Sequence, residues 1–408
     1  MTQIRPFATA FALALSIPAH AGETADWRAV NASTAEIRDI EGLEQLARDF
    51  PDSGSVRLRL LQPYVEADEI EKVMATLEWL YDRGYVFSDV VQTQIPKLLV
   101  GVDPGRIAER LRAEPEVIIG SEVVGEAPAV VGLAESVFVE GGSLLVTSVS
   151  GNSIHLFVPD TGWTQYFIAA ANDLSGIVGE ANDSIGWVAS SNLDNSDDGE
   201  DLFTGLIGLQ YPFDDPVRIP APAGAAVSDL SIGTDGTVYA SDPLNGGVYR
   251  KRRNADALET LVAPGIIRSA QGSALSADGA RLYVSDYRYG IAIVDLETKE
   301  VSRLSTELPI LLDGVDGMWR HGNELIAVQN GTSPMRISAF ELSEDGSSVI
   351  GHRVLEQAHP EWTEPLGGSI SGESLVYVGN GQWDKFVSGE LGEGKTLDPT
   401  QIRRLPLD

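Results

Sequence analysis

The chain has 408 residues, with 29 Lys and Arg against 60 Asp and Glu, a formal charge of −31 and no cysteine. That length can bury more than one sizeable core. The missing cysteine excludes disulfides, thiolate metal sites and a Cys nucleophile, and the acidic balance argues against nucleic acid or an anionic membrane surface as a partner.

Met1–Ala21 carries Arg5, an apolar run Phe7–Ile17, Pro18 and the small-x-small triplet Ala19-His20-Ala21. This pattern predicts a secretory signal cleaved after Ala21, because its apolar run is too short to span a bilayer. No later run reaches the ~18 uninterrupted apolar residues of a membrane helix. The expected location is periplasmic or secreted, where a chain without cysteine must hold together by packing.

Residues 33–115 read as a helical segment with an apolar period near 3.6. Ile40, Leu43, Leu46 and Ala47 share one face of a helix that must stop before Pro51. Further helices are expected over Gly54–Val65, Asp68–Arg83, Phe87–Leu98 and Pro104–Arg112, with Asp68 as a cap and Gly84 as the residue that ends the third. The aromatic and Ala positions between paired helices are similar to degenerate tetratricopeptide repeats. Such a segment is either a cap on the following domain or a docking surface for a protein partner.

From Val117 to Asp408 the chain is strands and turns. Ser228–Arg250 shows the unit most plainly: an apolar run, a turn at Thr234-Asp235-Gly236, a second run ending at Asp242, then Gly246-Gly247 and a third run. Equivalent strands recur at Leu144–Ser148, Trp187–Ser191, Val238–Asp242, Leu282–Asp286, Leu325–Asn330 and Leu375–Asn380, about 43–51 residues apart, the length of a four-stranded blade with its connection. The fold class is therefore mainly β: a six-bladed β-propeller over residues 117–408, preceded by a small α-helical segment. The leftover strand Val117–Val123 is expected to complete the last blade and close the ring. A β-sandwich is the alternative, disfavoured by six units of similar internal order.

Two motifs fail on context. Gly389–Thr396 matches a phosphate-binding loop, but Asp398-Pro399 stops any following helix, and Glu390 and Glu393 would repel phosphate. Asp194–Gly199 starts like a calcium loop, yet Gly205 stands at the twelfth position, where a bidentate carboxylate is needed. No pair of His residues has metal spacing. More informative are the entries of the innermost strands, which face the central channel of a propeller. They carry Glu135, Ser175-Gly176, Ser228-Asp229, Gln271-Gly272, Asp316-Gly317 and Gly367-Gly368. Two carboxylates with amide and hydroxyl oxygens on one axis suit a hard cation such as Ca²⁺ or Mg²⁺, which would polarise a carbonyl or activate a water. Polar residues there could equally satisfy strand ends and bound waters.

The stretches AESVF at Ala134–Phe138, SDLSIGTDGTVYASD, GSALSADGARLYVSD and DGMWRHGNELIAVQNG resemble the senescence marker protein/gluconolactonase-like superfamily of six-bladed propellers. The nearest likeness is to exported bacterial members with a helical-repeat front end and a terminal Asn380–Phe386 motif. The resemblance implies a divalent cation in the channel, with Glu135 and Asp316 as ligands and Asp316 also serving in proton transfer. The family's two ligand Asn positions fall on Ser228 and Gln271, so half of the ligand set departs. Asp229 matches an acidic, substrate-contacting residue, and is taken with Asp316 as a candidate catalytic group. A second group, Asn330, His359, Glu364 and Asn380, lies in loops and at strand ends, where it could line a ligand pocket with His359 as a proton shuttle. The expected activity is metal-assisted hydrolysis of a lactone or similar ester; the alternative is a non-catalytic propeller that binds a small molecule or, through its helices, a protein.

Overall fold

The computed structural model describes residues 25–98, 111, 114–179, 185–193, 202–211, 213 and 215–408. The expected signal, the Asp194–Gly199 loop and, apart from Leu111, the helix expected over Pro104–Arg112 lie outside the described residues.

Antiparallel sheets of consecutive strands make up a six-bladed β-propeller. Blade 1 spans Ala134–Glu140, Ser143–Ser148, Ser153–Val158 and Gly162–Phe167, ordered from the channel outward. Blades 2, 3 and 4 begin their innermost strands at Asp173, Leu230 and Ala270, and blades 5 and 6 at Met318 and Gly368. Strands alternate apolar and small residues because each blade packs on both faces against its neighbours. Tyr283, Ile291 and Ile293 of blade 4, for example, meet Leu325 and Phe340 of blade 5. The turns fall on the expected glycines. Gly236 has φ +79°, and Gly246 has φ +75° and abuts the Ile267 carbonyl, which leaves no room for any side chain.

Ring closure follows the expected principle with a shifted strand. The outermost strand of blade 6 is Glu122–Ala127, paired with the C-terminal strand Thr400–Pro406. Val117–Val123 is thus mostly a lead-in, and Ile118 instead bridges to Gln357 at the edge of blade 5. The two stretches overlap and each holds a short apolar run, Val117–Ile119 in one and Val123-Val124 in the other, so composition alone does not separate them. The segment matching a phosphate-binding loop forms a two-residue strand, Glu390–Leu391, and no helix follows it.

Among the described residues, helices α1 (Ala32–Glu36), α2 (Ile40–Asp49), α3 (Gly54–Glu66), α4 (Ile70–Asp82) and α5 (Asp89–Leu98) precede the ring. Asp39 caps α2 by accepting from Gly42 N–H at 2.8 Å, and Ser53 caps α3 through Val56 N–H at 3.0 Å. Asp68 does not cap α4. It takes φ +58° in the tight link from α3, a conformation Asp tolerates, and the residue before α4, Glu69, makes no side-chain cap bond.

These helices share one core with the propeller. Leu43, Leu46, Phe50, Leu60 and Leu80 join Tyr239, Ile267, Leu282 and Tyr289 in a single buried cluster. Polar anchors fix the docking. The carboxylate of Asp313, buried in the loop between blades 4 and 5, accepts from Gly54 N–H at 2.9 Å and Ser55 N–H at 2.7 Å, placing negative charge at the positive end of α3. Val86 and Ser333 exchange two hydrogen bonds, and Ala25–Asp26 adds a fifth strand to blade 4. The anchored loops, around Arg288, Asp313 and Ser333, lie at the end of the ring where the innermost strands begin. Among the described residues no helix is long and apolar enough to cross a membrane.

Candidate functional site

Site residues are set by backbone bonds between neighbouring blades. At three alternate seams of the ring, a glycine near the innermost strand entry of one blade donates its N–H to the carbonyl of a polar residue in the next. Gly176 donates to Ser228 at 3.0 Å, Gly272 to Asp316 at 2.7 Å and Gly367 to Glu135 at 3.0 Å. A Cβ at Gly176 would lie 2.5 Å from the Ser228 oxygen, one at Gly272 2.6 Å from the Asp316 oxygen and one at Gly367 2.9 Å from the Glu135 oxygen. Only glycine permits this approach, and the approach fixes the backbone that carries each side chain.

The result is a pocket of about 250 Å³ at the channel mouth, lined by Glu135, Ser228, Gln271, Asp316, Asn330 and Glu364. Tyr287 and Trp383 supply aromatic walls, with Leu193, Leu244 and Leu366 beside them, and among the described residues the lining holds no Lys or Arg. The indole N–H of Trp383 donates to Glu135 Oε2 at 2.8 Å. Asn330 is held on both sides: its amide donates to Asp316 Oδ2 at 3.1 Å and to the Pro365 carbonyl at 3.1 Å, and its carbonyl accepts from Tyr287 Oη at 2.8 Å. Deeper in, Asp229 lines a neck of about 20 Å³ together with Gly176, Gly272, Gly317 and Gly367. That space suits about one water molecule. The close-packed glycines thus narrow the channel into a floor for the pocket.

The electrostatics are one-sided. Burial, then the charge of Asp229, pushes the Glu135 carboxyl up to about 8, although the Trp383 bond works the other way. Burial raises Asp229 to about 7. Asp316 is raised well above the ordinary carboxylate range by burial and by the charges of Asp229, Glu135 and Glu364, and Glu364 is raised by burial and Asp384. Among the described residues no cation figures among the leading causes of these shifts: each acid has lost water without a compensating positive charge.

Six of the expected site residues therefore line one pocket, and Asp229 stands just beneath it. His359 and Asn380 are not brought there. His359 is buried against Trp362, with Nε2 at 2.8 Å from Arg403 Nη2 and Nδ1 accepting from Glu361 N–H at 3.1 Å; burial and Arg403 hold its pKa below the usual value. Asn380 pins the last strand by accepting from Gln401 N–H at 2.6 Å and donating to the Pro399 carbonyl at 3.1 Å. The aromatic Tyr287 and Trp383 and the flanking Leu193, Pro243 and Leu244 are pocket residues not assigned a role from the sequence. The Asn380–Phe386 motif contains Trp383, and its indole N–H was the available signal.

Oxygen atoms dominate the pocket, a donor set that suits a hard divalent cation. One oxygen each of Glu135 and Asp316 is already hydrogen-bonded, which leaves a second on each, with Gln271 Oε1 and Ser228 Oγ as neutral donors. Among the described residues no three His, Cys, Asp or Glu side chains are grouped closely enough to hold an ion by themselves. A cation here would rest on two carboxylates plus neutral oxygens.

No protein-family model matches the chain, and no curated protein is detectably similar to it in sequence. Solved structures do share its architecture. The likeness is one of fold. A luciferin-regenerating enzyme is 14% identical with a TM-score of 0.48, over 70% of this chain and 94% of that one. Virginiamycin B lyase from Staphylococcus aureus is 12% identical with a TM-score of 0.46, over 71% and 100%. The PQQ-bound aldose sugar dehydrogenase from Streptomyces coelicolor is 14% identical with a TM-score of 0.47, over 72% and 99%. Identities this low carry no chemistry from one protein to another.

Proposed function

We propose that the channel-mouth pocket is a hydrolytic site for a lactone or similar small ester, assisted by a divalent cation. The observation that carries this reading is the convergence of Glu135, Asp316, Gln271 and Ser228 from four blades on a small pocket with no basic lining residue among those described. Glu135 and Asp316 would hold the cation, with Gln271 and Ser228 completing its shell, and the bound ion would supply polarisation of the carbonyl oxygen under attack. Trp383 and Asn330 orient the two carboxylates by fixing one oxygen of each. Asp229, on the pocket floor, would accept the proton of an attacking water, and that same proton would pass to the leaving alkoxide as its bond to the acyl carbon breaks, with Asp316 as the relay between them. The aromatic and leucine walls leave room for a small ring.

Calorimetric titration of the metal-stripped protein with Ca²⁺, Mg²⁺ and Mn²⁺, followed by turnover on a panel of aldonolactones and aryl esters, tests the reading. One cation per chain and cation-dependent turnover support it; turnover unaffected by EDTA, or none across the panel, overturns it.

The rival is a non-catalytic binding propeller. What favours it is a surplus: Glu364 and Asp229 add negative charge beyond the two ligand carboxylates, and Trp383 and Tyr287 offer ring faces, a combination suited to an organic ammonium ion. In that case an alkylammonium compound protects the protein thermally, while Ca²⁺ does not.

A further inference from the structure

We infer that the seam between helices α3 and α4 and blades 4 and 5 is an oxyanion-binding site, built on the paired guanidinium groups of Arg57 and Arg83. The site stands apart from the channel pocket and does not depend on the function proposed for it.

In a chain carrying twice as many acids as bases, this seam is locally basic. Arg57 from α3 and Arg83 at the end of α4 both stack on the Trp79 indole, with guanidinium carbons 4.9 and 3.8 Å from the ring centroid. Arg303 of blade 4 and Arg336 of blade 5 approach the same seam from the propeller side. The acid in its midst is Asp52, whose Oδ2 accepts from Arg303 Nη1 at 3.0 Å and which also feels the charges of Arg83 and Arg57. Asp82 adds a second negative charge near Arg83, and Asp313 one near Arg336.

The donors outnumber their acceptors. Among the described residues the Arg57 side chain makes no hydrogen bond and no ion pair; it lies over the Trp79 ring and feels the charge of Asp52 at longer range. Arg83 makes one hydrogen bond, from Nη1 to the Trp79 carbonyl at 3.3 Å. Arg336, 5% exposed, donates from Nη2 to the Gly84 carbonyl at 3.2 Å. The buried Nε atoms of Arg57, Arg83, Arg303 and Arg336 all lack an acceptor. A buried donor without a partner costs about 1–3 kcal/mol, so four in one seam is a costly arrangement for packing alone. Arg57 and Arg83 remain only half-buried, which leaves their outer N–H groups open to a ligand. Stacking holds each guanidinium planar and immobile, the form in which it grips a carboxylate or phosphate with two parallel hydrogen bonds. Burial lowers the pKa of both, and the opposing charges of Asp52 on each and of Asp82 on Arg83 do not offset it.

The ligand class is a small oxyanion, either tetrahedral like phosphate or planar like a carboxylate. Thermal melting and calorimetry of the full mature chain, with phosphate, sulfate and acetate titrated against chloride at matched ionic strength, separate these forms. A saturable upward shift in melting temperature is expected with at least one of them. Arg57→Gln or Arg83→Gln should weaken that response at least about tenfold, as the loss of a charge-assisted pair implies. Arg57→Lys, which keeps charge but loses the fork, should restore it only in part. A response of equal size in wild type and both Gln variants, each shown folded by circular dichroism, overturns the site, as does the absence of any oxyanion response beyond chloride.

Discussion

The molecule holds two charged regions at the same end of the ring, and they are opposites. The channel mouth gathers Glu135, Asp316 and Glu364 above Asp229, with no basic lining residue among those described; the helix seam gathers Arg57, Arg83 and Arg303 around Asp52, with Arg336 on its propeller side. A sequence selected for stability alone would interleave these charges, since an unpaired buried ion costs several kcal/mol. That segregation is what the two proposed sites, one for a cation and one for an oxyanion, would require. The loops between them serve both sides. Tyr287 lines the pocket while Tyr289, two residues on, packs on Phe50 of the helical segment with ring centroids 4.9 Å apart. Asp313 grips α3 while Asp316, three residues on, faces the channel.

The largest effect should come from the channel side. Asp316→Asn is expected to lower kcat/KM on any lactone turned over by at least about a hundredfold, the scale of losing a positioned proton-transfer group. Retained turnover in that variant breaks the acidic half of the comparison. Next in size is Gly272→Ala. Its methyl would sit 2.6 Å from the Asp316 carbonyl oxygen, forcing blades 4 and 5 apart at the pocket floor. A loss of about 2–3 kcal/mol is expected from such overpacking, read as a lower urea midpoint. An unchanged midpoint would mean that the glycine approach does not fix the site.

Asp313→Ala tests the link between the two regions. It leaves the Gly54 and Ser55 N–H groups unsatisfied at a buried helix start, at a cost of about 1–3 kcal/mol. Proteolysis should then cut within residues 54–98 before the propeller is attacked; cleavage spread evenly along the chain would show the helices and ring unfolding as one.

Smaller still is an effect of pH. Burial pushes His155 and His352 down to about 4, and both lie far from the acidic pocket. A histidine whose folded pKa is below its unfolded value binds fewer protons when folded. It therefore lends stability above the unfolded value near 6.5, lost as pH falls toward 4, on the order of 2–3 kcal/mol for each histidine. His155→Gln should reduce this acid-side loss in denaturant titrations at pH 7, 5.5 and 4. An unaltered profile would assign the acid sensitivity elsewhere.

Much of the ring was legible because its information is local. Turn glycines such as Gly236 and Gly246 and the alternation around them identify a blade without its neighbours. Glu135, Ser228, Gln271 and Asp316 could be placed for the same reason, since each stands at a strand entry that the repeat itself marks. What local pattern does not carry is contact between distant segments. Trp383 reaches Glu135 across 248 positions, and Asp313 reaches Gly54 across 259. His359 shows the reverse failure: a rim position suggested catalysis, while Arg403, 44 residues away, occupies its Nε2. Asp68 looked like a cap until the turn from α3 placed it in the left-handed region.

The closing strand has a consequence for synthesis. Glu122 and Arg404 are neighbours in blade 6 but 282 positions apart in the chain. At about 5–20 residues per second, a ribosome delivers the second strand roughly 15–55 s after the first. Throughout that interval the edge at 122–127 has no native partner and the ring stands open. The strand Thr400–Pro406 is thus the one that closes the propeller, and its removal should leave an open ring in place of a slightly shorter protein.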